Sequence, residues 1–529
     1  MALSEQVALT TITIVVGLIT FVLVYERIRD RSLPPGPQRL PLIGNLHQAP
    51  KDFPWLTFTK WIRQYGPIIS VQFGGTTLIM IGDAQIAKEL LDKRGSIYSD
   101  RPRMVMAGEN LTKGMHMLLR PYTERYRLHQ RLQAPTLSPR DSPTYFPLQD
   151  VESKQLMFDF LHSNDYGKIL ERYAGSLMYS LTYGFRLDTG DEEPLREAHK
   201  VQHNFAYAAR VGTWVVDALP FLNVLPPALA PWKRTAEEFF EIEKALHLKN
   251  MQHGLDTKAW NWTKEFSKAK ESDTMSELEL AYSLGILADA GLDTTAVQMR
   301  IFILAALSYP GFLERAQKEL DEVVGPDRLP CLDDKPNLPY IDAVLEETIR
   351  WRSMAPGGIP HATTREDTIE TAMAKYRIPK GATVISIYWA QAMNEDAFER
   401  PLEFIPERWL DKSEDPQRFT SVFGYSRRIC PGRHIARSSL FLLMARILWG
   451  FNIKHAVDEN GNKEEVDDLA FTSGFLSTPV PFVAAFEPRS AHAKAVIEEE
   501  WEAAERNVDV LLNSARDRQS ALQVSVRAI

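Results

Sequence analysis

Phe423-Gly424-Tyr425-Ser426-Arg427-Arg428-Ile429-Cys430-Pro431-Gly432 puts a cysteine in a short turn behind paired arginines, with an aromatic ring upstream and a glycine two residues on. The chain has 529 residues and only two cysteines, Cys331 and Cys430. That count excludes a disulfide framework and a multi-cysteine metal site. A thiolate in such a turn is a candidate axial ligand for iron. Neighbouring cations favour the anion, and thiolate is one of the proximal ligands of haem. Gly432 has no Cβ and lets backbone come close to a flat cofactor. A lone cysteine is more often an inert buried residue, and Cys430 on its own would be read so.

Other segments add to the picture. Ser276-Glu277-Leu278-Glu279 reads as a capping box. It opens an apolar run without proline to Ser308-Tyr309-Pro310, about 32 residues or roughly 48 Å of helix. In its middle lies Ala290-Gly291-Leu292-Asp293-Thr294-Thr295. A glycine and an acid there cost stability. One reading is a kink or a helix–helix contact; the other is a groove beside a ligand, with polar groups that handle protons. Glu347-Thr348-Ile349-Arg350 lies on a further helix, Tyr340 to Trp351. Alone it is an ordinary i, i+3 pair. Pro406-Glu407-Arg408 follows.

Phe423, Arg428, Cys430 and Gly432 at this spacing resemble the haem-binding loop of the cytochrome P450 family. The other motifs occur in the family's order, and the resemblance runs from about Leu33 to Arg489. It implies a mainly α fold with a small β region, the cytochrome P450 fold, carrying haem b with Cys430 as the ligand of iron. Ala290 and Gly291 would border the substrate groove, and Asp293 and Thr294 would be the acid and alcohol of oxygen activation. Glu347, Arg350 and Arg408 would form a buried structural set. Arg428, Phe423, Gly432, Tyr126 and His361 would contact the cofactor, with His361 against a propionate, which favours charged imidazole.

Two departures stand out. Ser426 replaces the usual glycine, at roughly 1 kcal/mol if the turn needs positive φ. Tyr126 and Gln130 stand where the family has tryptophan and a cation, leaving Arg127 or Arg131 to supply the charge. Glu89 to Ser99 and Pro479 to Phe482 resemble fungal microsomal members similar to O-methylsterigmatocystin oxidoreductase.

The implied reaction is monooxygenation of an apolar or aromatic compound, in fungal secondary metabolism. Electrons would come from NADPH through a cytochrome P450 reductase, since no dinucleotide-binding Gly-x-Gly-x-x-Gly follows a strand. Arg427, Arg428, Arg433 and Arg437, with Arg125, Arg127 and Arg131, form a plausible dock for an acidic reductase surface. A haem-thiolate isomerase or dehydratase without reductase, and a non-catalytic haem or lipid binder, are the alternatives. The intact Asp293–Thr294 pair argues against both.

The net charge of −8 disfavours a nucleic-acid partner. Val7 to Tyr25 is apolar and free of charge, with Glu5 before it and Arg27, Arg29 and Arg31 after it. A cleaved signal would have the reverse flanks. The reading is one N-terminal transmembrane helix in an anchor over 1–31, placing the globule on the cytosolic face of the endoplasmic reticulum. Pro34-Pro35-Gly36-Pro37 reads as a stiff hinge. The catalytic domain then covers 32–490. An extension over 491–529 reads as an amphipathic helix with Ile497, Trp501, Ala504, Val508, Leu511 and Ala515 on one face.

Ile68 to Phe73 and Thr77 to Ile81 read as strands around Gly74-Gly75, and Asp83 as a helix cap. Ala218 to Trp232 reads as an irregular, oily loop. The sequons at Asn110 and Asn261 would not meet the glycosylation machinery in a cytosolic globule. Met104 to Leu119, Phe205 to Val216 and Ala355 to Pro360 are the remaining expected pocket segments, with Arg103, Lys113 and Arg210 able to reach a carboxylate at the edge.

Overall fold

The computed structural model describes residues 32–410 and 422–527, apart from 211 and 475, together with 13 and 17. The expected anchor helix lies outside the described residues. The main elements in chain order are α1 (Pro54–Tyr65), β1 (Ile68–Phe73), β2 (Thr76–Ile81), α2 (Glu124–Gln133), α3 (Phe146–Phe160), α4 (Tyr166–Tyr183), α5 (Glu193–Ala208), α6 (Pro231–Asp256), α7 (Glu277–Ser308) and α8 (Pro339–Trp351). Then come β3 (His361–Ala362), β4 (Asp367–Glu370), β5 (Lys375–Ile378), β6 (Thr383–Ser386), α9 (Arg433–Gly450), β7 (Phe451–His455), β8 (Ala484–Pro488), α10 (Ala491–Glu502) and α11 (Val508–Arg527). The chain forms two compact units. The first takes the described residues of 1–102, 357–391 and 425–428; the second takes those of 103–356, 392–424 and 429–529.

The first unit is built on a four-stranded sheet of order β1-β2-β6-β3. β1 and β2 pair antiparallel with Ile68 opposite Ile81. Gly74 makes their turn at φ +57°, a conformation that suits a residue without Cβ. β6 joins β2 in parallel, and β3 joins β6 antiparallel. Ile69, Val71 and Met80 are buried against Trp55, Phe58, Trp61 and Ile62 of α1. Each such side chain contributes roughly 1.5–3 kcal/mol on burial. Asp83 caps the turn that follows β2 by accepting from the Ile86 N–H at 2.8 Å. The Pro34–Pro37 segment is fastened to β1. The Ser70 N–H donates to Pro35 O at 2.9 Å, and the Ser70 hydroxyl to Pro34 O at 2.5 Å. A Cβ on Gly36 would stand 2.1 Å from Ser70 O, so only glycine passes there.

The second unit packs around α7. This helix is apolar on nearly all sides, the pattern of a core helix, and Ala281, Leu284, Ala288, Leu292 and Ile301 are fully or almost fully buried. Among the described residues it is also the one helix long and apolar enough to cross a membrane, and most of it is buried in the unit. Its start corrects the capping-box reading. Ser276 accepts from the Glu279 N–H at 3.1 Å, but the Glu279 carboxylate turns to Arg120 (2.9 Å), Arg125 and His129 (2.7 Å). Burial pushes this carboxyl up, but hydrogen bonds from His129, Arg125 and Arg120 outweigh it and hold it far below the ordinary range.

The oily segment is irregular, as expected. A single 3-10 turn spans Pro220–Val224. Leu219, Phe221, Val224 and Leu229 are exposed, while Ala230 and Trp232 are buried. Both sequon amides are engaged. Asn261 is fully buried and donates to Gly254 O at 2.8 Å, and Asn110 donates to Asn223 at 3.0 Å. The C-terminal stretch is two helices, α10 and α11, rather than one, because the chain leaves helix between Glu502 and Val508. Ile497, Leu511 and Ala515 are buried, joined by Val496 and Leu512. Lys154 of α3 pairs with Glu500 at 2.8 Å, and the Gln519 amide donates to the Tyr145 hydroxyl at 3.1 Å.

Candidate active site

In the second unit the Cys430 N–H donates to Phe423 O at 2.7 Å, which closes the turn two residues before the cap of α9. Burial pushes the Cys430 thiol up. The backbone N–H groups of Gly432 and Arg433 and the Arg433 charge pull it partly back. The sequence led us to expect the arginines to dominate, and they do not. Arg437 is turned to Glu346, and the Arg433 guanidinium spends a hydrogen bond on Cys430 O at 3.1 Å. What remains is a sulfur at a helix N-terminus with two backbone donors aimed at it, a setting that stabilises negative charge. The space on the Cβ side of Gly432 is open for 4 Å. No cluster of three His, Cys, Asp or Glu side chains suited to a metal occurs among the described residues. The donor set therefore suits an iron that brings its own equatorial ligands, as haem does.

In the first unit Arg428 donates through Nε to Ser99 O at 2.7 Å. Ser426 has φ +44°, the left-handed conformation expected where the family has glycine. Its N–H donates to Asp92 at 2.9 Å. A Cβ on Gly95 would stand 2.4 Å from the Ser426 hydroxyl, so Gly95 makes room for the serine. His361 is buried and donates through Nδ1 to Tyr98 O at 2.7 Å. Burial first, then Arg101, lower its pKa to about 3, with Arg428 adding to the effect against the pull of the Tyr98 carbonyl. The cations here are Arg101 and Arg428. Arg101 is the residue that motif reading missed; it donates to Pro360 O and is buried.

On α7 the Thr294 hydroxyl donates to Ala290 O at 2.9 Å. These two residues share one helix face, and Ala290 is exposed. Asp293 points elsewhere, toward α4 and α5. Burial raises its carboxyl to about 6; His199 and Arg300 lower it and Glu171 raises it. Gly291 does not open a groove. A Cβ there would lie 2.5 Å from Met178 Sδ on α4, so the glycine serves the packing of α7 on α4. The helix-contact reading holds for Gly291, and the groove reading is left to Ala290.

Glu347 and Arg350 are both fully buried, 2.7 Å apart. Glu347 also accepts from Arg408 at 3.1 Å, from the Trp409 indole at 2.9 Å and from the Ile405 N–H at 2.9 Å. Tyr126 is buried on α2. Arg127 and Arg131 both pair with Glu124, at 2.6 and 3.0 Å, and Arg125 is held by Glu279. Val105, Met106, Ala107, Leu111, Ala208 and Val216 form one apolar cluster, and Phe205 stacks on His116 at 4.3 Å. Of the three edge cations, Arg103 and Lys113 are engaged, with Glu109 and with Glu237.

A mainly helical chain with small sheets, a cysteine turn before a long helix and an acid–alcohol pair in a central helix defines a class of thiolate-ligated enzymes. This chain belongs to the cytochrome P450 family, whose model matches residues 34–485. It is 43% identical to cytochrome P450 monooxygenase aneD of Aspergillus aculeatus, over 89% of this chain and 91% of that protein. It is 41% identical to cytochrome P450 monooxygenase drtD of Aspergillus calidoustus, over 93% of each chain. It is 39% identical to cytochrome P450 monooxygenase FrzL of a Cladobotryum species, over 92% of this chain and 94% of that protein. The chain is thus an enzyme of the cytochrome P450 monooxygenase class, and the family implies a haem iron.

Proposed function

We propose that this enzyme inserts one oxygen atom of O₂ into an apolar or aromatic fungal secondary metabolite, with electrons from NADPH through a cytochrome P450 reductase. The observation that carries the reading is the acid–alcohol pair on α7, which an isomerase or a simple haem carrier does not need. Cys430 would ligate the iron, with the Gly432 and Arg433 N–H groups stabilising charge on sulfur. Tyr126, Phe423, Gly432 and His361 would contact the cofactor, and the cations Arg101 and Arg428 would suit its carboxylates. When bound, the haem supplies the oxygen-activating chemistry.

The protein's part is proton handling and water exclusion. The Thr294 hydroxyl holds a proton on the open face of α7, bonded back to Ala290 O. Asp293, with a pKa of about 6, passes between protonated and ionised forms near neutrality, as proton transfer requires. The apolar segments Met104 to Leu119 and Phe205 to Val216 would favour an apolar substrate by burial where they border the pocket. An N-terminal anchor over 1–31 would hold the enzyme at the endoplasmic reticulum, catalytic part in the cytosol.

The test is expression with a reductase, followed by metabolite profiling and measurement of NADPH and O₂ use. Product formation that depends on both supports the reading. Conversion that needs neither reductase nor O₂ contradicts it.

A further inference from the structure

α7 carries a further acid, Asp289, one turn before Asp293. It faces α6, where His247 and Glu243 are buried. His247 Nε2 lies 3.5 Å from Glu243 Oε1 and 3.9 Å from Asp289 Oδ2. It is too far from either carboxylate for a well-formed hydrogen bond, and among the described residues it has no other hydrogen-bond partner. The imidazole thus stands between two carboxylates. The backbone is shaped for this ring: a Cβ on Gly285 would lie 2.1 Å from His247 Nδ1. The Tyr282 hydroxyl donates to the second oxygen of Glu243 at 3.2 Å, and the Tyr282 ring meets the imidazole edge-on at 4.9 Å.

We propose that Glu243, His247 and Asp289 form a second proton-holding site, between α6 and α7, that exchanges protons with Asp293, making Asp289 and His247 positioning residues for monooxygenation. The inference rests on the assignment of Asp293 and Thr294 to proton handling. Two ionised carboxylates and a single imidazolium would leave net negative charge in a buried place, which is costly. One of the three groups therefore holds an extra proton near neutrality. The shifts agree. Burial raises Asp289 to about 7, with His247 pulling it down and Glu243 and Asp293 pushing it up. His247 is lowered by burial, but Glu243 and Asp289 outweigh that and its net shift is upward.

Among the described residues, Glu243 and Asp289 are the carboxylates within 4 Å of the His247 ring nitrogens. α4 presents Tyr179 and Tyr183, both held protonated by burial first. The 112–123 loop presents His116, which burial lowers to about 4. α5 contributes the Gln202 amide, which donates to Asp289 O at 2.6 Å. Asp289 and Asp293 stand at i and i+4, neighbours on one face. The charge of Asp293 pushes the Asp289 carboxyl up, so the two acids are electrostatically linked.

The experiment is an infrared titration of the haem-loaded full chain, following the C=O absorption of protonated carboxyl groups. The wild type should lose this absorption in two steps near neutrality. Asp289→Asn should remove one step and Asp293→Asn the other. His247→Gln should move the Asp289 step to higher pH, because an imidazolium that favoured the carboxylate is gone. A structural role alone would let water in and move that step to lower pH. Peroxide released per NADPH, measured with added reductase across pH, should rise in Asp289→Asn and in Asp293→Asn. An unchanged titration in Asp289→Asn, or a downward move in His247→Gln, overturns the proposal. Unchanged peroxide release in Asp293→Asn would instead sink the assignment of Asp293, while the infrared steps still judge the cluster. Should Asp289→Asn fail to fold, Glu243→Gln must move the Asp289 step to lower pH, since it removes a negative neighbour.

Discussion

Replacing Glu347 by glutamine changes one oxygen to an amide at nearly constant volume, which isolates charge and hydrogen bonding from packing. Both Glu347 oxygens are in use. One accepts from Arg350 Nη2, Arg408 Nε and the Ile405 N–H; the other accepts from Arg350 Nε and Trp409 Nε1. Whichever way the new amide turns, its N–H₂ faces donors and leaves at least two of them unmatched. The Arg350 guanidinium stays fully buried with its counter-charge gone. Breaking a buried pair from one side costs about 3–5 kcal/mol, a large part of the roughly 5–15 kcal/mol that holds a domain. Urea unfolding followed by tryptophan fluorescence should show this loss, together with poor haem retention. Arg350→Met made in a Glu347→Leu background should cost less than Arg350→Met alone, because the pair then leaves together. A Glu347→Gln protein within about 1 kcal/mol of wild type, the size of an exposed pair, would refute the reasoning.

Gly291→Val should overpack the α4–α7 contact by about 1–3 kcal/mol and lower Tm, with Met178→Ala in the same chain restoring it; an unchanged Tm with weakened ligand binding would favour a groove at Gly291. Ser426→Gly should gain up to about 1 kcal/mol by removing left-handed strain, read as a raised Tm; a lower Tm would show that the serine's packing on Gly95 outweighs the strain. Glu279, whose folded pKa is depressed, contributes stability that is complete above its ordinary value of 4.5 and is lost as pH falls toward its folded value. Wild type should therefore lose more stability on acidification than Glu279→Gln, as measured by urea unfolding at a series of pH values.

The cysteine loop, the central helix and the order of the motifs were legible because each rests on local spacing, and β1 and β2 because their alternation and glycine turn are local too. What the sequence hid depends on which face meets what. Gly291 could line a groove or a helix contact, and only the position of Met178 decides. The Glu279 signature was half right, since a cap and an ion-pair anchor have the same residue spacing. Arg101 and Trp409 sit in no motif and owe their places to chain segments far away in sequence. His361 was read as charged through a propionate partner; the burial and the two arginines that oppose that charge come from segments far apart in sequence. The Glu243–His247–Asp289 cluster joins residues on two helices with no sequence pattern to announce it; Gly285, a costly residue in a helix interior, was the one available hint.

The most direct test of the account is the absorption of the reduced, carbon-monoxide-bound protein, whose long-wavelength band reports thiolate ligation of the iron. Cys430→Ala should abolish that band. Cys331→Ala should keep it, because Cys331 only opens the Leu332–Asn337 turn. A Cys430→Ala protein that still shows the band, or a Cys331→Ala protein that loses it, would contradict the assignment of Cys430 as the ligand.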